Sequence, residues 1–150
     1  MSEVAFYHLT DATLDATLPV LLQRSLERGW KVRVRSTGAD RLSHLDRHLW
    51  TFADDGFLPH GLAGGSHDGA QPILLTETEA NTNAADVLML IDGAREELQS
   101  YAGYARVCVL FDGRDADAVA DARDHWQAVK GSGLTAQYWA QDNGKWTKKA

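Results

Sequence analysis

The run DVLMLIDGAREELQSYAGYARVCVLF, residues 86–111, decides the fold. Residues 86–91 contain five consecutive apolar side chains, VLMLI, with no polar alternation. A strand of that composition is covered on both faces, as the central strands of a parallel sheet are. Residues 106–111 (RVCVLF) repeat the pattern, and residues 94–101 between them read as a short helix. Cys108 lies inside the second run and reads as a small core residue rather than a nucleophile.

Outward from this centre, strands continue to alternate with helices. Residues 4–9 form a short run of strand formers. Leu14, Leu18, Leu21, Leu22 and Leu26 then share one helical face that ends at Gly29. Pro19 sits in a first turn if that helix starts at Thr17 and inside the helix if it starts near Thr13, and both starts are open. Residues 30–35 read as a strand with Lys31, Arg33 and Arg35 on a more polar face. Residues 40–50 read as a second helix with Leu42, Leu45 and Leu49 inward. Residues 72–76 are a strand opened by Pro72. Residues 115–130 form the last long helix, with acidic residues in its first turn and Lys130 in its last. Residues 135–140 are a final strand, and Asn143-Gly144 is a turn from which residues 145–147 pair back as a hairpin. The expectation is a three-layer, Rossmann-like α/β fold with a mainly parallel sheet flanked by helices.

The 150 residues match the length of one ordinary domain, and 44% of them are hydrophobic, enough for a substantial core without cross-links. No repeat, linker or second domain is visible, so residues 1–150 are expected to form one domain. One cysteine excludes an internal disulfide and fits the cytoplasm. The N-terminus has no signal-peptide pattern, and no apolar run approaches membrane-spanning length. Fifteen Lys plus Arg against twenty-one Asp plus Glu leave a net charge of −6. Grip on nucleic acid by its phosphates calls for a basic face, so this balance argues against a dedicated DNA binder.

Candidate chemistry is sparse. His44 and His48 are four apart on a helix, but they lie off its apolar face and no further ligand follows at a recognisable spacing, so no metal site is expected. The glycine-rich residues 63–71 (AGGSHDGAQ) lack the Lys-Ser/Thr of a phosphate loop. No Gly-x-Gly-x-x-Gly follows the first strand, where the turn reads His8-Leu9-Thr10-Asp11. His60, His67, Asp112 and Asp115 are the candidate acid–base residues. Asp112-Gly113-Arg114 follows a buried strand, where α/β active sites often lie, which makes it the best catalytic candidate, but it reads more readily as a turn and a helix start. No motif unites a nucleophile, a base and an oxyanion donor. The chain is expected to be no enzyme and to need no cofactor. The alternative is a small Rossmann-like nucleotide-binding enzyme with its site near Asp112.

The most distinctive stretch is LDRHLWTFADDGFLPHGLAGG, residues 45–65. Trp50, Phe52, Phe57, Leu58 and Leu62 crowd a segment that reads as irregular, stiffened by Pro59. Such a loop either packs on its own core or offers an aromatic patch to a partner. Its order, Leu45-Asp46-x-x-Leu49-Trp50 followed by Phe57-x-Pro59-His60-Gly61-Leu62-Ala63-Gly64, resembles the chi subunit family of bacterial DNA polymerase III holoenzyme. Phe6-Tyr7, Gly29, Val32, Pro72 and Ala122-Arg123 fit in the same order, so the resemblance covers nearly the whole chain.

That resemblance implies a non-catalytic accessory subunit of the clamp-loader complex in DNA replication. One surface of such a subunit binds the psi subunit. Another binds the acidic, aromatic C-terminal tail of the single-stranded DNA-binding protein, so DNA is reached only indirectly. By matching motif, Trp50, Phe57, Pro59 and His60 would belong to the psi side, although the loop could serve another protein, such as a helicase, or only its own core. Arg123 and Trp126 would belong to the tail side, together with Val119 and Gln127. A terminal carboxylate beside an aromatic ring calls for a guanidinium next to an apolar slot, and residues three apart on a helix can supply both. The family pattern carries further basic residues on this helix where Val119 and Gln127 stand here. Lys130, Arg114 and Arg106 are the candidates to compensate.

Overall fold

The computed structural model describes residues 2–51, 58–142 and 145–150, with the Asp142 side chain excepted. Phe52 and Phe57, and the Asn143-Gly144 turn, lie outside the described residues. The elements run β1 (Glu3–Leu9), α1 (Leu14–Glu27), β2 (Val32–Arg35), α2 (Ala39–Thr51), β3 (Gly61–Leu62), β4 (Ile73–Thr76), β5 (Val87–Leu90), α3 (Leu98–Tyr101), β6 (Arg106–Asp112), α4 (Ala116–Gly131), β7 (Thr135–Asp142) and β8 (Lys145–Lys148). A 3-10 turn spans Asp68–Ala70. The strands form one sheet in the order β3-β4-β2-β5-β6-β1-β7-β8, and every pairing is parallel except the terminal β7/β8 hairpin.

The continuous apolar runs take the centre, as their composition requires. Register places Ala5, Cys108, Met89, Val34 and Leu75 in one row across five strands. All five side chains join the core beneath α1 and α2. The next row, Phe6, Val109 and Leu90, faces the opposite way into a second core with α3 and α4. Period-two alternation thus divides one sheet between two helical layers. Burial pushes the Cys108 thiol up to about 12, and it behaves as a small core residue.

Helix α1 starts at Leu14, with the Thr13 hydroxyl accepting from the Ala16 N–H at 3.2 Å. Pro19 therefore lies inside the helix, where it offers no N–H to the Asp15 carbonyl four residues earlier. His48 Nε2 from α2 lies 2.6 Å from that carbonyl and donates to it. His44 Nε2 lies 2.7 Å from Asp15 Oδ2, and the two imidazoles are stacked in parallel. The His44/His48 pair thus fastens α2 to α1. Among the described residues no group of three or more metal-ligating side chains is assembled.

Three expectations need correction. The helix expected over residues 94–101 is only its last turn, α3. Glu97 is extended, and Glu96 just before it is drawn inward as a buried ion partner. Gly61 and Leu62 are not loop but a short edge strand parallel to β4. The more polar face of β2 is not solvated at Arg33, which is fully buried on the α3/α4 side of the sheet. The Arg33 guanidinium donates to both Glu96 carboxylate oxygens at 2.6 and 2.7 Å, to the Tyr104 hydroxyl at 2.8 Å and to the Thr78 carbonyl at 2.7 Å. Burial opposes its charge, but the hydrogen bonds it donates to Glu96 and Tyr104 outweigh that and hold it firmly protonated.

Candidate functional site

Helix α4 is fixed at its start by Asp115, whose carboxylate accepts from the Asp117 and Ala118 N–H groups at 3.0 and 3.3 Å. Its inner stripe is Ala122, His125 and Val129. His125 Nε2 lies 2.7 Å from the Tyr101 hydroxyl, and its ring meets Phe6 edge-on. Burial, aided by the nearby Arg95 charge, pushes its pKa down to about 4, so the ring is neutral near neutral pH.

The flank of α4 facing β7 carries the residues singled out in the sequence. Trp126 is half-buried, edge-to-face with Phe6 at 5.4 Å and with Tyr138 of β7 at 5.8 Å. Lys130 Nζ lies 5.5 Å from the centre of the Trp126 ring. Val119 packs partly against the same core, while Arg123 and Gln127 are exposed. Arg123 forms no ion pair among the described residues. Its charge still reaches Tyr138: burial raises the Tyr138 pKa, and Arg123 pulls against that rise. The result is an aromatic corner, Trp126 against Tyr138, with an uncommitted guanidinium on one side and an ammonium on the other. Such a corner can hold an apolar ring and a carboxylate together.

Tyr138 is positioned from behind. His8 Nδ1 lies 2.5 Å from its hydroxyl. The His8 ring packs over Gly113, where a Cβ would strike both the imidazole and the Leu9 carbonyl oxygen. A glycine after β6 is thus a steric requirement of the His8–Tyr138 pair. Sequence reasoning missed Tyr138. Its alternation with Ala136 on one face of β7 was visible, but nothing in the sequence pairs that face with α4.

Of the three candidate compensating cations, only Lys130 stands beside Trp126. Arg114 is engaged with Asp112. Arg106 pairs with Glu3 at 2.6 Å and lies over Trp30, at the far end of β6.

The second group gathers at the end of α2. Trp50 is 50% exposed and lies against His60, with ring centroids 4.3 Å apart. His60 is buried, its Nδ1 2.6 Å from the Leu58 carbonyl and its Nε2 3.1 Å from both the carbonyl and the carboxylate of Asp46. His60 therefore supports Trp50 from below rather than presenting itself. Pro59 is half-buried, and Leu62 on the sheet edge is exposed. Phe57 lies outside the described residues.

The acid–base candidates do not converge. Asp112 is exposed, and the Arg114 N–H and guanidinium hold its carboxylate below the ordinary range, which makes it a poor base. Asp115 caps α4, His60 is buried beneath Trp50, and His67 is exposed at the 3-10 turn. A cavity of about 550 Å³ does open at the carboxyl ends of β1, β5 and β6. There β1 leads to α1 on one face and β6 leads to α4 on the other, the usual place for a ligand in such sheets.

No helix among the described residues is long and apolar enough to cross a membrane. Residues 1–137 match the family model described as "DNA polymerase III chi subunit, HolC". The chain is 26% identical over 91 residues to the probable DNA polymerase III subunit chi of Rickettsia prowazekii (strain Madrid E), covering 61% of this chain and 55% of that protein. It is 32% identical over 92 residues to the DNA polymerase III subunit chi of Pseudomonas aeruginosa, covering 59% of this chain and 63% of that protein. The matched stretches thus span less than two thirds of these relatives. With the family match running almost end to end through the fold described above, the chain belongs to the chi subunit family of DNA polymerase III.

Proposed function

We propose that residues 1–150 act as one non-catalytic accessory subunit of a cytoplasmic DNA polymerase III complex, linking the polymerase to single-stranded DNA-binding protein through that protein's acidic C-terminal tail. The observation that carries this reading is the corner of Trp126 and Tyr138 flanked by Arg123, which has no ion partner among the described residues. The tail's aromatic residue lies against the two rings, and its terminal carboxylate meets the guanidinium fork. Val119 and Gln127 line the slot, and Lys130 attracts the acidic residues further up the tail. Trp50, with Pro59, faces the polymerase side, through psi or an equivalent clamp-loader component. The test is capture on immobilised protein. Full-length single-stranded DNA-binding protein should be retained and the same protein without its last residues should pass through, while equal retention of both would refute the reading.

The cavity beside Asp112 favours a second reading, a small-molecule site. Six carboxylates (Asp15, Asp92, Asp112, Asp115, Asp117, Asp121) line it against three guanidiniums (Arg41, Arg95, Arg114). That balance repels nucleotide phosphates, so the nucleotide-binding form of this reading has the weaker electrostatic case.

A further inference from the structure

We propose that the cleft beneath the C-terminal end of α1 is a binding site for a phosphoryl group, separate from the tail-binding corner on α4. The cleft encloses about 110 Å³ and is lined by Tyr7, Arg24, Arg28, Trp30, Arg106 and Cys108, among others. In an acidic chain this gathers three guanidiniums around one opening. Arg28 lies 5.0 Å and Arg106 5.7 Å from the centre of the Trp30 ring, so the indole holds both in place. Arg106 is matched by Glu3 at 2.6 Å. Arg24 in the last turn of α1 and Arg28 at its C-cap enter no ion pair among the described residues. Two positive charges therefore stand unmatched over the cleft.

The second, independent observation is Tyr7. It is 9% exposed and lines the cleft, yet its hydroxyl has no hydrogen-bond partner among the described residues. The ring is buried, while the hydroxyl is not sealed from solvent and opens into the cleft. Burial holds this one protonated and so a donor, and Arg106 and Arg24 are near enough to pull against that. One O–H donor and two free guanidiniums meet the charge and the acceptor oxygens of a phosphoryl group, which carries nearly two negative charges. A single carboxylate would leave one of the two cations unmatched. The cleft has room for several waters at about 30 Å³ each, enough for a phosphoryl group but too little for a whole nucleotide. Inorganic phosphate or the phosphate of a nucleotide lying outside the cleft would satisfy the same contacts.

The experiment is calorimetry on the full chain with inorganic phosphate, thymidine 5′-monophosphate, thymidine and acetate. Binding of either phosphoryl source, with none by thymidine or acetate, supports the site. Binding of the monophosphate alone would show that the nucleoside adds contacts at the rim. Arg24→Ala together with Arg28→Ala should weaken binding at least about tenfold. Tyr7→Phe should weaken it severalfold without lowering the melting temperature, because the hydroxyl it removes bonds to no other described group of the protein. Arg123→Ala should bind phosphate as wild type does. No binding of either phosphoryl source in the millimolar range, equal binding of acetate, or affinity unchanged in both cleft variants would overturn the proposal.

Discussion

His48 gives α1 the hydrogen bond that Pro19 cannot. The Asp15 carbonyl, left without its helical donor, accepts from His48 Nε2 at 2.6 Å. Proline inside a helix costs about 3 kcal/mol or more, partly through that lost bond, and here the neighbouring helix replaces it. The contact also sets how α2 lies on α1, and α2 carries Trp50 at its end.

His48→Ala should therefore destabilise the protein by about 1–3 kcal/mol, the cost of an unsatisfied carbonyl. In a Pro19→Ala background the alanine N–H becomes available to Asp15, and the same substitution should cost less than about 1 kcal/mol. Urea unfolding of the four proteins in the cycle measures the coupling. Additive losses would show that His48 does not compensate for Pro19.

The Arg33–Glu96 pair is fully desolvated and carries four-way hydrogen bonding. Glu96→Ala leaves a buried cation without its carboxylate and should cost about 3–5 kcal/mol. Replacing both, as Arg33→Met with Glu96→Leu, should cost clearly less than Glu96→Ala alone. Denaturant midpoints at constant slope decide it.

His125 makes stability fall in mild acid. Its folded pKa, pushed down to about 4, lies below the ordinary value near 6.5. Between those values the unfolded chain binds a proton that the folded chain does not, so stability rises with pH across this window and is lost as pH falls through it. The contribution is up to about 3 kcal/mol between pH 7 and pH 4. His125→Phe, which keeps the ring against Phe6, should flatten that part of the profile in thermal melts. An unchanged slope would mean that another group is responsible.

Trp50 is half exposed, so Trp50→Ser should change stability by about 1 kcal/mol or less, against about 3–5 kcal/mol for a buried aromatic. The same substitution should abolish copurification with clamp-loader components. A large drop in melting temperature would mark Trp50 as core.

The layers and the sheet were legible because they rest on composition: VLMLI and RVCVLF have no polar side chain to offer water in the middle of each run. The inward leucines of α1 and α2 were legible from spacing. What the sequence hid is pairing at a distance. Arg33 on a strand and Glu96 sixty-three residues later give no sign that each is buried by the other. The expected helix over residues 94–101 failed at that point, since Glu96 serves tertiary structure rather than helix propensity. His44 and His48 showed a spacing but not their shared target, Asp15, whose carboxylate meets His44 and whose carbonyl, orphaned by a proline, meets His48. At α4, Arg123 and Trp126 were visible from spacing and resemblance, while Tyr138 was not. Tyr138 reaches the corner through β7, and only the fold places β7 against that helix.

The central proposal concerns Arg123 and a free carboxylate, and calorimetry with a peptide of the cognate tail tests it most directly. Wild type should bind the free-acid peptide and lose most of that affinity for the amidated one, which lacks the terminal charge. Arg123→Ala should weaken the free acid by about ten- to a hundredfold, the loss of roughly 1.5–3 kcal/mol of charge-assisted contact, and Arg123→Lys should recover only part of it. Trp126→Ala should weaken both peptides with little change in salt dependence. Equal binding of the free-acid and amidated peptides, or wild-type affinity in Arg123→Ala, would contradict the assignment.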